Sequence, residues 1–291
     1  MLIGGLLAGI MYSLVALGFV LIYKASGVFN FAQGAMVFFA ALTFVSLVER
    51  GVNFWLALLI TLAAMVVLGM AIEKVVLRPL VNQPPITLFM ATIGLTFVLE
   101  GLSQLAWGSQ PHGLELGIKD VPMEWLAQST GMFISQFDIF ASGIAAVLVA
   151  SLALFFQYTR IGRALRAVAD DHQAAQAVGI PLKNIWAIVW AVAGFVALVA
   201  GLMWGARNGV QYALTFIALK ALPVLILGGF ESVLGAIVGG LIIGASEKLA
   251  EVYIGPMVGG GIESWFAYVI ALLFLLVRPQ GLFGEKIIDR V

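Results

Sequence analysis

Cysteine is absent from this chain of 291 residues, and histidine occurs only twice. The first absence removes disulfide scaffolds, thiolate metal sites and cysteine nucleophiles, and the second leaves too few imidazoles for a histidine-rich metal site. Charge is scarce as well: Asp, Glu, Lys and Arg together make up 10% of the residues, where a soluble domain carries about 25%. Lys+Arg and Asp+Glu balance at 15 each, so the net charge gives no electrostatic basis for a nucleic-acid partner. What fills the chain is apolar surface, with 62% hydrophobic residues and a mean hydropathy of +1.09. A water-soluble globule of this composition could not be solvated. The class is that of a polytopic membrane protein.

A hydrocarbon layer about 30 Å thick takes about 20 apolar residues in a helix, whose backbone groups pair within the segment. Such windows fall at 2–23, 35–48, 54–72, 86–107, 139–157, 185–204, 212–229 and 264–277, with a further apolar stretch at 233–246. The expected fold is all-α: one membrane helix bundle over residues 1–291, with eight or nine transmembrane spans. The first window has no basic leader and no small-residue cleavage site, so it reads as a retained span. Lys and Arg placement orients the bundle. With nine spans and the N-terminus outside, one side holds Lys24, Lys74, Arg78, Arg160, Arg163, Arg166, Lys183, Arg278, Lys286 and Arg290. The other holds Arg50, Lys119, Arg207 and Lys248, which puts the C-terminus in the cytoplasm. The connection 108–138 then faces outward, and it carries Glu115, Asp120, Glu124 and Asp138 against Lys119.

A few polar groups interrupt the apolar windows. Asn30 and Gln33 lie in the break between the first two spans, between Gly27 and Gly34. Two readings are open: amides that satisfy the turn's own backbone, or an uncharged pair lining a translocation path, because broken helices at membrane depth survive where they line a cavity. Lys220 stands inside an apolar run, where a charge costs about 2.5–3.5 kcal/mol on insertion scales and needs protein, water or an interface around it. Pro223 frees a backbone carbonyl on which that ammonium could rest. Glu100 is either a helix-end carboxylate or a partner for Lys220. Glycines recur four apart at Gly5 and Gly9, at Gly235 and Gly239, and at Gly240 and Gly244, a spacing that lets helix backbones approach closely. Residues 209–230 and 233–246 read equally as a pair of spans or as a re-entrant feature.

The connection 158–184 has helical composition. Ala164, Leu165, Ala167, Val168, Ala174, Ala175 and Val178 recur at helical spacing among charged residues, Gly179 stops the helix, and Pro181 prevents its resumption. Two readings are open: a short amphipathic helix whose apolar stripe lies on the membrane surface or in a partner's groove, or a basic surface helix that only anchors the topology.

The run Ala169-Asp170-Asp171-His172-Gln173-Ala174-Ala175-Gln176-Ala177-Val178-Gly179-Ile180 resembles the Glu-Ala-Ala…Gly coupling loop of ABC importer permeases. More narrowly, the chain resembles the LivH-type permease of the branched-chain amino acid importer family. Three more stretches carry the likeness: Gly27-Val28-Phe29-Asn30-Phe31-Ala32-Gln33-Gly34, the segment from Lys220 to Ala236, and Arg278-Pro279-Gln280-Gly281-Leu282-Phe283-Gly284. One departure is that Gln173 stands where the triplet is acidic, with Asp170 or Asp171 as substitutes. The resemblance implies a permease with a cytoplasmic coupling helix, built around Asp170, Asp171, Gln173, Ala174, Ala175 and Gly179, that seats in a groove of a cytoplasmic ATPase. It implies partners: two ABC ATPase subunits that bind the ATP, a second homologous permease chain, and a periplasmic substrate-binding protein that docks on 108–138. It implies a bacterial inner-membrane location, and the shared segment puts Asn30, Gln33 and Gly34 on the translocation path; Lys220 is a further candidate for the path, beside its structural reading on the carbonyl freed by Pro223. Branched-chain amino acids are the expected substrates, with urea, short amides or aromatic acids as alternatives.

Other classes fit less well. Asp170-Asp171 begins like the aspartate-rich motif of polyprenyl transferases, but Ala174 stands where a further aspartate is needed. No His-Glu-x-x-His occurs, and no Gly-x-x-x-x-Gly-Lys-Ser/Thr loop for ATP. An enzyme is therefore not expected, and no cofactor in this chain. A secondary carrier usually holds intramembrane carboxylates for ion coupling, for which Glu100 is the candidate.

Overall fold

The computed structural model describes residues 2–80, 83–118, 120–124, 128, 134–170 and 172–284. Among them regular structure is helical: α1 (Leu2–Ser26), α2 (Gln33–Glu49), α3 (Phe54–Ala71), α4 (Pro85–Trp107), α5 (Gln136–Tyr158), α6 (Arg160–Asp170), α7 (His172–Ala177), α8 (Leu182–Asn208), α9 (Ile217–Gly228), α10 (Val233–Tyr253), α11 (Gly255–Val258) and α12 (Glu263–Val277). Among the described residues, six helices are long and apolar enough to cross a membrane: Leu2–Ser26, Phe54–Leu80, Ile86–Trp107, Gln136–Tyr158, Leu182–Asn208 and Val233–Tyr253. Three shorter apolar helices, Gln33–Glu49, Tyr212–Gly228 and Trp265–Val277, fall where further spans were expected. At 1.5 Å per residue the 17 residues of α2 reach about 25 Å, less than the layer is thick. Length thus supports six spans, and the expected eight or nine are not reached on that criterion.

The chain divides into two compact units, one of residues 1–20, 117–151 and 219–291, the other of 21–116 and 152–218. In the first, α10 is the hub, and it uses the predicted glycines on two faces. A Cβ added to Gly9 would stand 2.3 Å from the Gly240 carbonyl oxygen, and one added to Gly244 would stand 2.3 Å from that of Gly5, so α1 and α10 touch backbone to backbone. Ser13 of α1 reinforces the seam by donating to the Ala236 carbonyl at 3.0 Å. On another face, Gly239 meets the Val224 carbonyl and Gly235 meets that of Gly228, closing α9 onto α10.

In the second unit α8 is the central helix, with Val189, Trp190, Ala193, Val196 and Ala197 all buried. It packs against α3 and α2 through the same device. Gly69 of α3 lies against the Trp190 carbonyl, Gly194 against that of Met65, and Gly201 against that of Val37. The end of α3 widens into a π-helical turn, Ile72–Leu77. That turn brings residues five apart onto one side, and Glu73 there takes a two-pronged hydrogen bond from Arg78, at 3.0 and 2.7 Å.

Candidate functional site

The break between α1 and α2 is built mostly from its own residues. α1 ends at Ser26, and Gly27 follows at φ +65°, a turn open to glycine at little cost. Asn30 then organises what comes next. Its Oδ1 accepts from the Ala32 N–H at 3.1 Å, and its Nδ2 donates to Gln33 Oε1 at 3.2 Å. Two carbonyls of the region are tied to other helices: Trp186 Nε1 donates to Ala25 O at 2.9 Å, and Thr92 Oγ1 donates to Phe29 O at 3.1 Å. Asn30 and Gln33 are both fully buried. Gly34 is fixed by crowding, since a Cβ there would lie 2.0 Å from the Thr215 carbonyl oxygen. Asn30 is therefore occupied with local backbone, whereas Gln33 Nε2 is a buried donor with no hydrogen-bond partner among the described residues.

Lys220 lies in α9, and the freed carbonyl near it is not its resting place. Pro223 withholds the N–H that would bond Leu219 O, four residues back. The Tyr268 hydroxyl of α12 donates to that carbonyl instead, at 2.6 Å. The opposite charge that acts on Lys220 is Glu247 of α10, which is 4% exposed and also interacts with Tyr12 of α1. Glu100 has another partner, the Tyr212 hydroxyl at 3.1 Å. The sequence reading missed Glu247 and Glu73 as buried carboxylates. Glu247 sits beside Lys248 near the end of its helix and looks like an interfacial charge. The five-residue spacing of Glu73 and Arg78 signals contact only in a π turn.

The connection 158–184 is helical on both sides of position 171. Asp171 lies outside the described residues, as do Lys119, Lys286, Arg290 and parts of 108–138. Asp170 closes α6, and Gln173, Ala174 and Ala175 lie in α7. The helical stop at Gly179 is as expected: φ is +87°, the Gly179 N–H bonds Gln176 O, and the Ile180 N–H bonds Ala175 O at 3.0 Å. Those two bonds are a Schellman ending. The apolar stripe is a correction. Leu165, Val168 and Ala175 are buried within the chain, with α6 and α7 packed on α8, because the turn at Gly179 and Pro181 folds the segment back. What faces outward is Val178, 77% exposed, with Ala174, Gln176 and Ala177. Arg166 anchors the base by donating to the Phe156 and Gln157 carbonyls at the end of α5.

In the connection 108–138, His112 and Val210 exchange both backbone hydrogen bonds at 2.9 Å, and the His112 ring lies 2.9 Å from Glu49. Asp120 accepts from Ser135, and Glu115 and Glu124 are exposed.

A family model described as "Branched-chain amino acid transport system / permease component" matches residues 1–278. The chain belongs to this family. Among its relatives, the high-affinity branched-chain amino acid transport system permease protein LivH of Salmonella typhimurium is 27% identical, over 99% of this chain and 96% of that protein. BraD of Pseudomonas aeruginosa, a permease protein of the same kind of system, is 28% identical over 100% and 97%. The fructose import permease protein FruF of Bifidobacterium longum is 23% identical over 92% and 75%. The solved structure of PsaBC from Streptococcus pneumoniae in complex with Fab shares the fold, with a TM-score of 0.51 at 14% identity over 96% of this chain and 92% of that one. Two motifs of the permease meet in one unit. The Leu282 and Phe283 N–H groups bond the Leu227 and Gly228 carbonyls at 2.8 and 3.1 Å, so the Arg278–Gly284 segment caps α9. Gly281 and Gly229, at φ +79° and +101°, lie so close that a Cβ on Gly281 would stand 2.7 Å from the Gly229 nitrogen.

Proposed function

We propose that this permease is the membrane-spanning subunit of an ATP-driven importer and forms the path by which branched-chain amino acids cross the bacterial inner membrane. Family membership over residues 1–278 carries this reading, supported by relatives named for that transport over nearly their whole length. Residues 1–291 act as one permease domain with the N-terminus outside and the C-terminus in the cytoplasm. ATP is bound by two partner ATPases, a periplasmic binding protein delivers the solute to 108–138, and a second homologous permease completes the path. Gln33 and Lys220 contribute to the path, and Asn30 and Gly34 hold the shape of the break that borders it. In support, Gln33 offers a buried donor with no hydrogen-bond partner, a group that is costly to leave so. The lever of Asp170, Asp171, Gln173, Ala174, Ala175 and Gly179 seats in the ATPase groove, its outward edge at Ala174, Ala177 and Val178.

A second reading, import of a sugar or another uncharged solute, is favoured by the fructose import permeases among the relatives. Urea, short amides and aromatic acids are further candidates. The test is reconstitution of the permease with its ATPases, second permease and binding protein in vesicles, with uptake of leucine, isoleucine and valine followed with and without ATP. Uptake without ATP, driven by an ion gradient, would instead indicate a carrier. Gly179→Leu forces a side chain onto φ +87°, destroys the lever's defined end, and is expected to reduce uptake at least tenfold with membrane insertion intact. Unchanged uptake in that variant would remove the coupling role.

A further inference from the structure

Glu100 is a carboxylate within α4, a helix long and apolar enough to cross a membrane, and at 1.5 Å per residue it lies about 10 Å short of the helix end at Trp107. It is 8% exposed and shares the buried side of α4 with Leu99 and Ser103, whereas the outward side carries apolar Phe97, Leu102 and Leu105. An ionisable group at that depth faces protein or a water-filled cavity and needs a partner. Among the described residues the partner is a neutral one: the Tyr212 hydroxyl donates to Glu100 Oε2 at 3.1 Å. Glu100 makes no ion pair among those residues, and its Oε1 accepts no hydrogen bond from them.

Tyr212 comes from an irregular stretch of backbone. After α8 the chain turns at Gly209, φ +77°, and then runs as a 3-10 turn, Tyr212–Phe216, packed on α2 with the Thr215 carbonyl against Gly34. Backbone of this kind at membrane depth is tolerated where it is buried or lines a cavity, and this stretch is not wholly covered, with Tyr212 42% and Phe216 52% exposed. The Phe38 and Phe216 rings stand edge to face with the Tyr212 ring, at centroid distances of 6.4 and 5.6 Å. Within one compact unit, a buried carboxylate without a counter-charge therefore stands beside a partly open aromatic corner.

We propose that Glu100, held by Tyr212, receives the ammonium group of an amino acid. The site deepens the transport reading above and rests on it. Tyr212 occupies Oε2, which leaves Oε1 to accept from the ligand's N–H groups. The aromatic corner adds apolar contact for a hydrocarbon side chain, and aromatic rings attract a cation over their faces. A divalent metal ion fits less well, since it takes about six oxygen ligands and the site offers one carboxylate and one phenol. A sugar or urea brings no charge to answer Glu100, and a site built around a buried polar group discriminates strongly against a ligand that leaves it unanswered.

The test separates the two charged groups of the ligand. The importer of two permease chains and two ATPases is placed in nanodiscs. Binding above that to empty nanodiscs is measured for leucine, for 3-methylbutylamine, which lacks the carboxylate, and for 4-methylpentanoate, which lacks the ammonium. The unmodified importer is expected to bind leucine and the amine at least tenfold more tightly than the acid. Glu100→Gln weakens leucine and the amine at least tenfold and leaves the acid within twofold of its former affinity. Tyr212→Phe keeps the carboxylate and removes the hydroxyl, so binding weakens while the preference for ammonium ligands persists, which covers the case in which Glu100→Gln fails to co-elute with the ATPases. Equal losses across the three ligands in Glu100→Gln, no loss at all, or absence of the ammonium preference in the unmodified importer or in Tyr212→Phe would overturn the site. If ATP-driven leucine uptake by the complete importer persists under those outcomes, the transport reading stands without the site. If that importer takes up fructose or urea and no leucine, both fall.

Discussion

The two polar regions of this permease solve the same problem in opposite ways. At the break between α1 and α2, Asn30 finds its partners within six residues of itself, in the Ala32 N–H, Gln33 Oε1 and Met36 Sδ. At the ionisable cluster, Glu247 depends on Tyr12 from α1 and Lys220 from α9, helices brought to it by glycine seams. The first arrangement is spent on holding a backbone shape. The second draws on groups carried by other helices. Polar groups answered locally are set by the chain around them, and groups answered through tertiary packing depend on the seams that bring the helices together.

If the break is scaffold, its most crowded residue should show the largest effect. Gly34→Val places a Cβ against the Thr215 carbonyl, 2.0 Å away in the unrelaxed structure. Overpacking of that kind costs about 3 kcal/mol, and the expected outcome is a clear drop in the temperature at which the detergent-solubilised protein loses its monodisperse elution peak. A smaller loss, about 2 kcal/mol, is expected for Asn30→Ala, which strands the Ala32 N–H and the Gln33 amide oxygen. Adding Gln33→Leu should cost less than the sum of the two single changes, because it removes one of the stranded groups. Full additivity would mean that the two amides act independently, and the contrast with Glu247 would weaken.

How much of this was legible in the sequence follows the same division. The Gly179 stop, the turn at Gly27 and the glycine pairs of α1 and α10 are local or periodic signals, and each appears where the residues place it. The break was visible too, although only the geometry shows that Asn30 is used up and Gln33 Nε2 is not. The apolar stripe of 158–184 was visible as a stripe, but what covers Leu165 and Val168 depends on α8 folding back, and periodicity carries no information about that. Glu247 was hidden for a related reason. A carboxylate next to Lys248 near a helix end has an ordinary interfacial reading until three other helices close around it.

The finest test of the contrast lies at Pro223. In the charged region even a backbone defect is answered from a distance: Pro223 supplies no N–H to Leu219 O, and the Tyr268 hydroxyl does so at 2.6 Å. Tyr268→Phe should cost about 0.5–1.5 kcal/mol. Pro223→Ala restores the helix's own donor, so in that background the tyrosine hydroxyl has less to satisfy. The double variant should therefore lose less than Tyr268→Phe alone, a coupling readable as a difference in melting temperature across the four proteins. Strict additivity would show that the hydroxyl does not compensate the proline, and that this region, like the break, answers its polar groups locally.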